Sequence, residues 1–114
     1  MGVVGPCGAG KSTLVAALRQ LGIRAREVAQ EHSYVPEMWQ LITRPDLLVY
    51  LDVSREAAQR RLGRALPARW WEEIRRRLAH ARAHADLVVE TDSLTFEAVF
   101  ERVLRFLEEG GEWR

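Results

Sequence analysis

Among its 114 residues the sequence has one cysteine, one lysine and no asparagine. A lone Cys7 cannot form an internal disulfide. A disulfide-stapled secreted scaffold is therefore excluded, and a reduced, cytoplasmic setting is expected. No apolar run approaches the roughly 20 residues of a membrane span. The chain enters an apolar strand at once, so no signal peptide is expected. The net charge of +1 leaves no electrostatic footprint for nucleic acid or a membrane surface. There is no internal repeat and no low-complexity linker. Length and composition together predict one domain over residues 1–114, with one core. Whether that domain is a monomer or a homodimer stays open.

The one lysine stands in the most specific stretch of the chain. Gly5-Pro6-Cys7-Gly8-Ala9-Gly10-Lys11-Ser12 meets the pattern G-x-x-x-x-G-K-[ST] at every fixed position, and Thr13 follows. Met1 to Val4 predicts a short buried strand. Lys11 to Leu21 predicts a helix, with Leu14, Ala17, Leu18 and Leu21 on one face and Gly22 as its stop. The loop thus joins strand to helix, as the pattern requires. Glycines let successive N–H groups turn toward one anion, and the helix N-terminus adds partial positive charge. Gly5 to Thr13 are expected to bind a nucleoside triphosphate. Lys11 would reach its β- and γ-phosphates, and the Ser12 hydroxyl would ligate Mg²⁺. A chain without asparagine has no N-K-x-D box to read guanine, so ATP is expected over GTP. Replacing Lys11 should remove nucleotide binding and leave the fold intact. Cys7 is either a thiol that bound nucleotide covers or a small apolar filler.

Further along, Ile23 to Ala29 alternates in an arginine-rich manner that suits an edge strand. Glu31-His32-Ser33-Tyr34 reads as a polar loop. Pro36 to Ile42 predicts a short helix burying Met38, Leu41 and Trp39, ended by Arg44-Pro45. Asp46 to Val53 carries the continuous apolar run of a strand buried on both faces, with Asp52 at its C-terminal end. Ser54 predicts the N-cap of a helix through Leu62, stopped by Gly63. Gly63 to Arg69 is a loop. Trp70 to Ala85 predicts a helix with the stripe Trp70, Ile74, Leu78, Ala81 and Ala85. Asp86 to Thr91 is another strand. Thr95 caps a last helix, with Leu94 and Val99 as a hydrophobic staple and Gly110-Gly111 as its end. That helix should bury Phe96, Val99, Phe100, Val103, Leu104 and Leu107. Strands alternating with helices predict a three-layer α/β/α fold around a small, mostly parallel sheet of about four strands. Ligands of such sheets bind at the C-terminal strand ends, where Gly5, Glu31, Asp52 and Asp92 fall.

The loop GPCGAGKST, the stretch LLVYLDVSREAAQRR and the closing DLVVETDSLTFEAVFERVLRFL together resemble the small P-loop kinases of the adenylate, thymidylate, shikimate and gluconate kinase group. The resemblance implies the P-loop NTPase fold and transfer of the γ-phosphoryl of ATP to a small acceptor, with Mg²⁺. It places Arg60, Arg61, Arg64 and Arg69 in a lid over ATP, with Arg61 and Arg64 as catalytic groups beside Lys11. It places Asp92 to Leu94 near the base. Those kinases are longer. Only Gly22 to Arg44 stands where they carry an acceptor-binding insert and a strand ending in a metal-associated acid. A nucleotide-dependent binding or regulatory protein with little turnover is the alternative.

The second carboxylate stays open. Asp52 is either a metal acid beside Ser12 or a turn acid before Ser54. Glu31 is either a catalytic carboxylate that orients acceptor or water, or a solvated loop residue. His32 shares that rim. His80 and His84 stand one helical turn apart, as metal ligands or as a solvated pair. Arg75-Arg76-Arg77 reads as a solvated face, and Trp113 as part of a frayed end.

Overall fold

In a computed structural model, the structure describes residues 1–43 and 45–110. The expected ends at Arg44 and Gly111, and the position of Trp113, lie outside the described residues. Four strands form one sheet in the order β2-β1-β3-β4: β1 (Gly2–Val4), β2 (Arg26–Glu27), β3 (Leu48–Asp52) and β4 (Leu87–Glu90). Every pairing is parallel, where a mostly parallel sheet was expected. Gly2 pairs with Arg26 on one side and Leu48 on the other, and Val49 pairs with Leu87. All four C-terminal strand ends therefore share one rim.

Alternation along the central strands sends side chains to two cores. Val3, Val49, Leu51 and Val89 pack with Leu14 and Leu18 of α1 (Lys11–Gln20) and with Val103 and Leu107 of the helix Phe96–Gly110. Val4, Leu48 and Tyr50 pack with Ile74, Leu78 and Ala81 of the helix Ala68–His84. In chain order the helices after α1 are α2 (Arg55–Leu62), α3 (Ala68–His84) and α4 (Phe96–Gly110). Helices thus cover both faces of the sheet. Among the described residues no helix is long and apolar enough to cross a membrane.

The helix signals hold where a local cap defines them. The Ser54 Oγ accepts from the Ala57 N–H at 3.1 Å, and Gly63 closes α2 at φ 67°. The Thr95 Oγ1 accepts from the Ala98 N–H at 3.1 Å, and Leu94 packs into the same core as Val99. They fail where tertiary packing decides. Leu21 is 53% exposed, because α1 ends at Gln20 and the chain turns away at Gly22. Instead of a helix from Pro36, a single wide helical turn spans Trp39–Thr43. It buries Trp39, as expected, and leaves Leu41 exposed, against the expectation. In α3 the buried tryptophan is Trp71, and Trp70 is half-buried between the two cores. Phe96 lies largely on the surface, stacked on Phe100.

Tyr50 lies under α3 and is 1% exposed. Its pKa is pushed up to about 12, first by burial and then by the Asp52 charge; Arg75 and Arg82 pull it partly back. An unfolded tyrosine ionises near pH 10. The stability from keeping Tyr50 neutral is therefore complete below pH 10 and is lost as pH rises toward 12. Urea midpoints taken from pH 9 to 12 should fall by the equivalent of about 2 kcal/mol in the wild type. The Tyr50→Phe variant should show a flatter profile. Parallel profiles in the two proteins would exclude Tyr50 as the titrating group.

Candidate functional site

The loop between β1 and α1 is shaped by glycines. Gly5 adopts φ 154°, and a Cβ there would stand 2.2 Å from the Leu51 carbonyl oxygen. Gly10 is the N-cap of α1 at φ 95°, in the left-handed region. α1 has no side-chain cap and no acid in its first turn. The N–H groups of that turn therefore lack the side-chain partner that usually starts a helix.

Lys11 does not extend into solvent. It is 6% exposed, and its ammonium donates to the Gly5 carbonyl at 2.5 Å, the Pro6 carbonyl at 3.3 Å and Glu31 Oε2 at 2.5 Å. Glu31 is 4% exposed, so it is not a solvated loop glutamate. Its Oε1 is buried without a hydrogen-bond partner. A short helical turn, Gln30–His32, carries it. Gln30 anchors that turn with a fully buried amide. Its oxygen accepts from the Trp39 N–H at 2.7 Å, and its nitrogen donates to the carbonyls of Val35 and Arg77. Arg77 in turn donates to the Glu31 carbonyl at 3.1 Å.

The carboxylate that touches Ser12 is Glu27. The Ser12 hydroxyl, in the first turn of α1, donates to Glu27 Oε2 at 2.8 Å, and the parallel pairing of β2 with β1 is what brings Glu27 there. Asp52 is engaged elsewhere. Its Oδ1 accepts from the Val53 N–H at 3.0 Å, and its carboxylate pairs with Arg75 at 3.7 Å and Arg82 at 3.5 Å on α3. Part of the arginine run expected to be solvated thus faces the strand end.

On the other flank Arg61 is fixed to the loop. Its guanidinium donates to the Gly8 carbonyl at 3.0 Å, the Thr91 hydroxyl at 2.9 Å and the Thr91 carbonyl at 2.6 Å. Arg60, Arg64 and Arg69 are exposed. The connection Gly63 to Pro67 is pinned, in contrast to a free lid. Leu66 is buried, its N–H donates to Gln59 Oε1 at 2.8 Å, and its carbonyl accepts from Arg55 at 2.6 Å. Asp92 accepts from the Ser54 N–H at 2.8 Å. Hydrogen bonds from the Ser54 side chain and backbone hold its carboxyl below the usual carboxylate range.

One hollow is lined by the loop itself, and a second lies along β2 and the segment after it. The first, about 190 Å³, lies between Gly8, Thr13, Arg61, Leu94 and Phe96. The other, about 670 Å³, runs along Glu27, Gln30, His32, Tyr34, Val35 and Met38. Cys7, within the loop, is half-buried. His80 and His84 lie apart from the loop. Their rings stack at 4.2 Å, and His80 Nδ1 accepts from the Trp39 indole N–H at 3.0 Å.

The sequence reading missed Glu27 and Gln30. Glu27 was legible only as one position of an alternating segment. Its role depends on β2 lying next to β1, which no local pattern encodes. Gln30 carried no signal beyond its closeness to Glu31.

The chain is an α/β domain with an all-parallel four-stranded sheet and a glycine loop entering a helix at the rim. Compared with known proteins, it matches no family model and no curated protein.

Proposed function

We propose that the chain is a minimal P-loop protein that binds Mg·ATP and passes its γ-phosphoryl group to a small acceptor. One observation carries this reading: the Ser12 hydroxyl is hydrogen-bonded to an acid, Glu27, beside a buried Lys11 at the uncapped start of α1. That is the donor set a phosphate-bound Mg²⁺ requires, a hydroxyl and a carboxylate as hard oxygen ligands next to an ammonium. Ser12 and Glu27 would hold the ion. Lys11 and the loop N–H groups from Gly8 to Thr13 would hold the phosphates. ATP supplies the transferable group, and the protein supplies position and charge.

The rest of the site has room for both reactants. The hollow at Leu94 and Phe96 offers an apolar wall to a base, and the one at His32 and Met38 opens on the side of Glu27. Glu31 would orient the acceptor once Lys11 turns to phosphate. Arg61 would fix the loop through Gly8 and enter the charge field of the phosphates. Arg64, exposed on the far side of Gly63, would act only by moving in.

A second reading has its own support. Lys11 is neutralised by Glu31 and by the loop's own carbonyls, a closed arrangement that suits a slow nucleotide-dependent switch. Both readings require nucleotide binding. Mg·ATP at about 100 times its Kd should stabilise the protein by about 2.7 kcal/mol. Absence of any thermal stabilisation at millimolar Mg·ATP would refute both. ADP formation is then followed with pools of nucleoside monophosphates, sugars and small acids. A rate that rises with one pool supports the kinase, and a rate unchanged by every pool supports the switch.

A further inference from the structure

Glu31 Oε1 is a buried carboxylate oxygen with no partner, although its twin is spent on Lys11. An orphaned acceptor of this kind is destabilising unless something fills its place. Two other ligating side chains lie close to the same carboxylate. Cys7 Sγ, a Glu31 carboxylate oxygen and a His32 ring nitrogen all lie within 4.8 Å of one another. This is the one such set of three found among the described residues. We propose that Cys7, Glu31 and His32 form a binding site for a borderline divalent metal ion of the zinc class. The proposal does not depend on the nucleotide reading.

The chemistry of the donors selects the ion. A thiolate and an imidazole are poor ligands for Mg²⁺ or Ca²⁺ and good ones for Zn²⁺ or Co²⁺. Three protein ligands and an open fourth position are the usual inventory of a non-structural zinc site. With bonds of roughly 2.3 Å to sulfur and 2.0–2.1 Å to nitrogen and oxygen, a tetrahedral ion spaces its ligands about 3.3–3.6 Å apart. From separations within 4.8 Å the three atoms need to close by at most about 1.5 Å, which side-chain rotation supplies. His32 is exposed and free to turn, while Glu31 is held in place by Gln30 and Arg77 through its own backbone turn. Glu31 would bridge, with Oε1 on the ion and Oε2 on Lys11. On binding, the Cys7 sulfur–hydrogen bond breaks, its electron pair goes to the metal, and the proton leaves to solvent. The fourth position opens toward the rim. Occupancy would tie the glycine loop, through Cys7, to the segment after β2.

Co²⁺ is the probe, because a thiolate ligand gives it a charge-transfer band in the near ultraviolet. The full chain should bind one equivalent of Co²⁺ with that band, and Zn²⁺ should bleach it. Cys7→Ser should lose the band. His32→Ala, at an exposed position, should bind at least tenfold more weakly, with Glu31→Gln as a third variant. No band in the wild type at stoichiometric Co²⁺ would overturn the proposal. So would a band that survives Cys7→Ser, or Co²⁺ binding lost in His84→Ala and unchanged in His32→Ala, which would move the ion to the stacked histidine pair.

Discussion

Lys11→Ala is expected to lose Mg·ATP binding and to cost the fold about 3–5 kcal/mol as well. The binding loss follows from charge-assisted contacts to phosphate, each worth about 1.5–3 kcal/mol. The stability loss follows from Glu31. Both side chains of the pair are almost wholly buried, at 6% and 5% exposure. Removing the ammonium leaves a buried carboxylate without its counter-charge, and also frees the Gly5 and Pro6 carbonyls. The sequence alone led to the opposite expectation, an intact fold, because nothing in it placed Glu31 against Lys11. For a domain of this size the fall in Tm should be roughly 15 °C or more. The double variant Lys11→Met with Glu31→Gln removes both charges. It should recover most of the stability and none of the nucleotide affinity. Urea midpoints and ATP titrations on the three proteins separate the two effects. A single variant that melts like the wild type would mean that the buried pair contributes nothing to the fold. One that binds ATP as tightly as the wild type would end the phosphate-loop reading.

Gly5→Ala should be the most damaging of the small substitutions in the loop. A methyl group at Gly5 would meet the Leu51 carbonyl oxygen at 2.2 Å, and that oxygen belongs to a central strand that cannot retreat. Overpacking of this kind costs about 1–3 kcal/mol in ordinary cores and more where the obstacle is backbone. The left-handed conformation at Gly5 adds to it. Gly10→Ala is the matched control. It carries φ 95° but has nothing within 4 Å of the added carbon. Its cost should be conformational only, about 1–2 kcal/mol. If thermal melts rank the two alike, crowding against Leu51 is not what makes glycine necessary at position 5.

Much of the architecture was legible because it is written in local signals. Ser54 and Gly63 bracket α2, Thr95 starts α4, and the run from Leu47 to Leu51 has the pattern of a strand covered on both faces. The glycine loop was legible because its fixed residues are rare in combination. The partners of its polar groups were not. Glu27 on β2 meets Ser12 in the first turn of α1, and Glu31 reaches Lys11 from a turn 20 residues on. Asp52 drew attention because it ends an apolar strand, yet its neighbours are set by α3, whose arginines had no visible target in the sequence. Arg61 was expected in a moving lid. Its three bonds to Gly8 and Thr91 depend on β4 ending beside the loop, which is a property of strand order.

Strand order also governs how the chain can fold. β1 is central, and one of its partners, β3, begins with the pairing of Gly2 to Leu48. Bringing those ends together closes a loop of roughly 45 residues, at an entropic cost near 3 kcal/mol before any pairing repays it. The short β2 offers β1 little to hold in the meantime. Gly5 takes its final place against Leu51 only after β3 has docked. The glycine loop therefore has its native surroundings only when β3 is in place. A chain with α1 wound but β3 undocked would lack the loop's native surroundings, and a ligand that recognises them would bind only chains in which β3 has paired with β1.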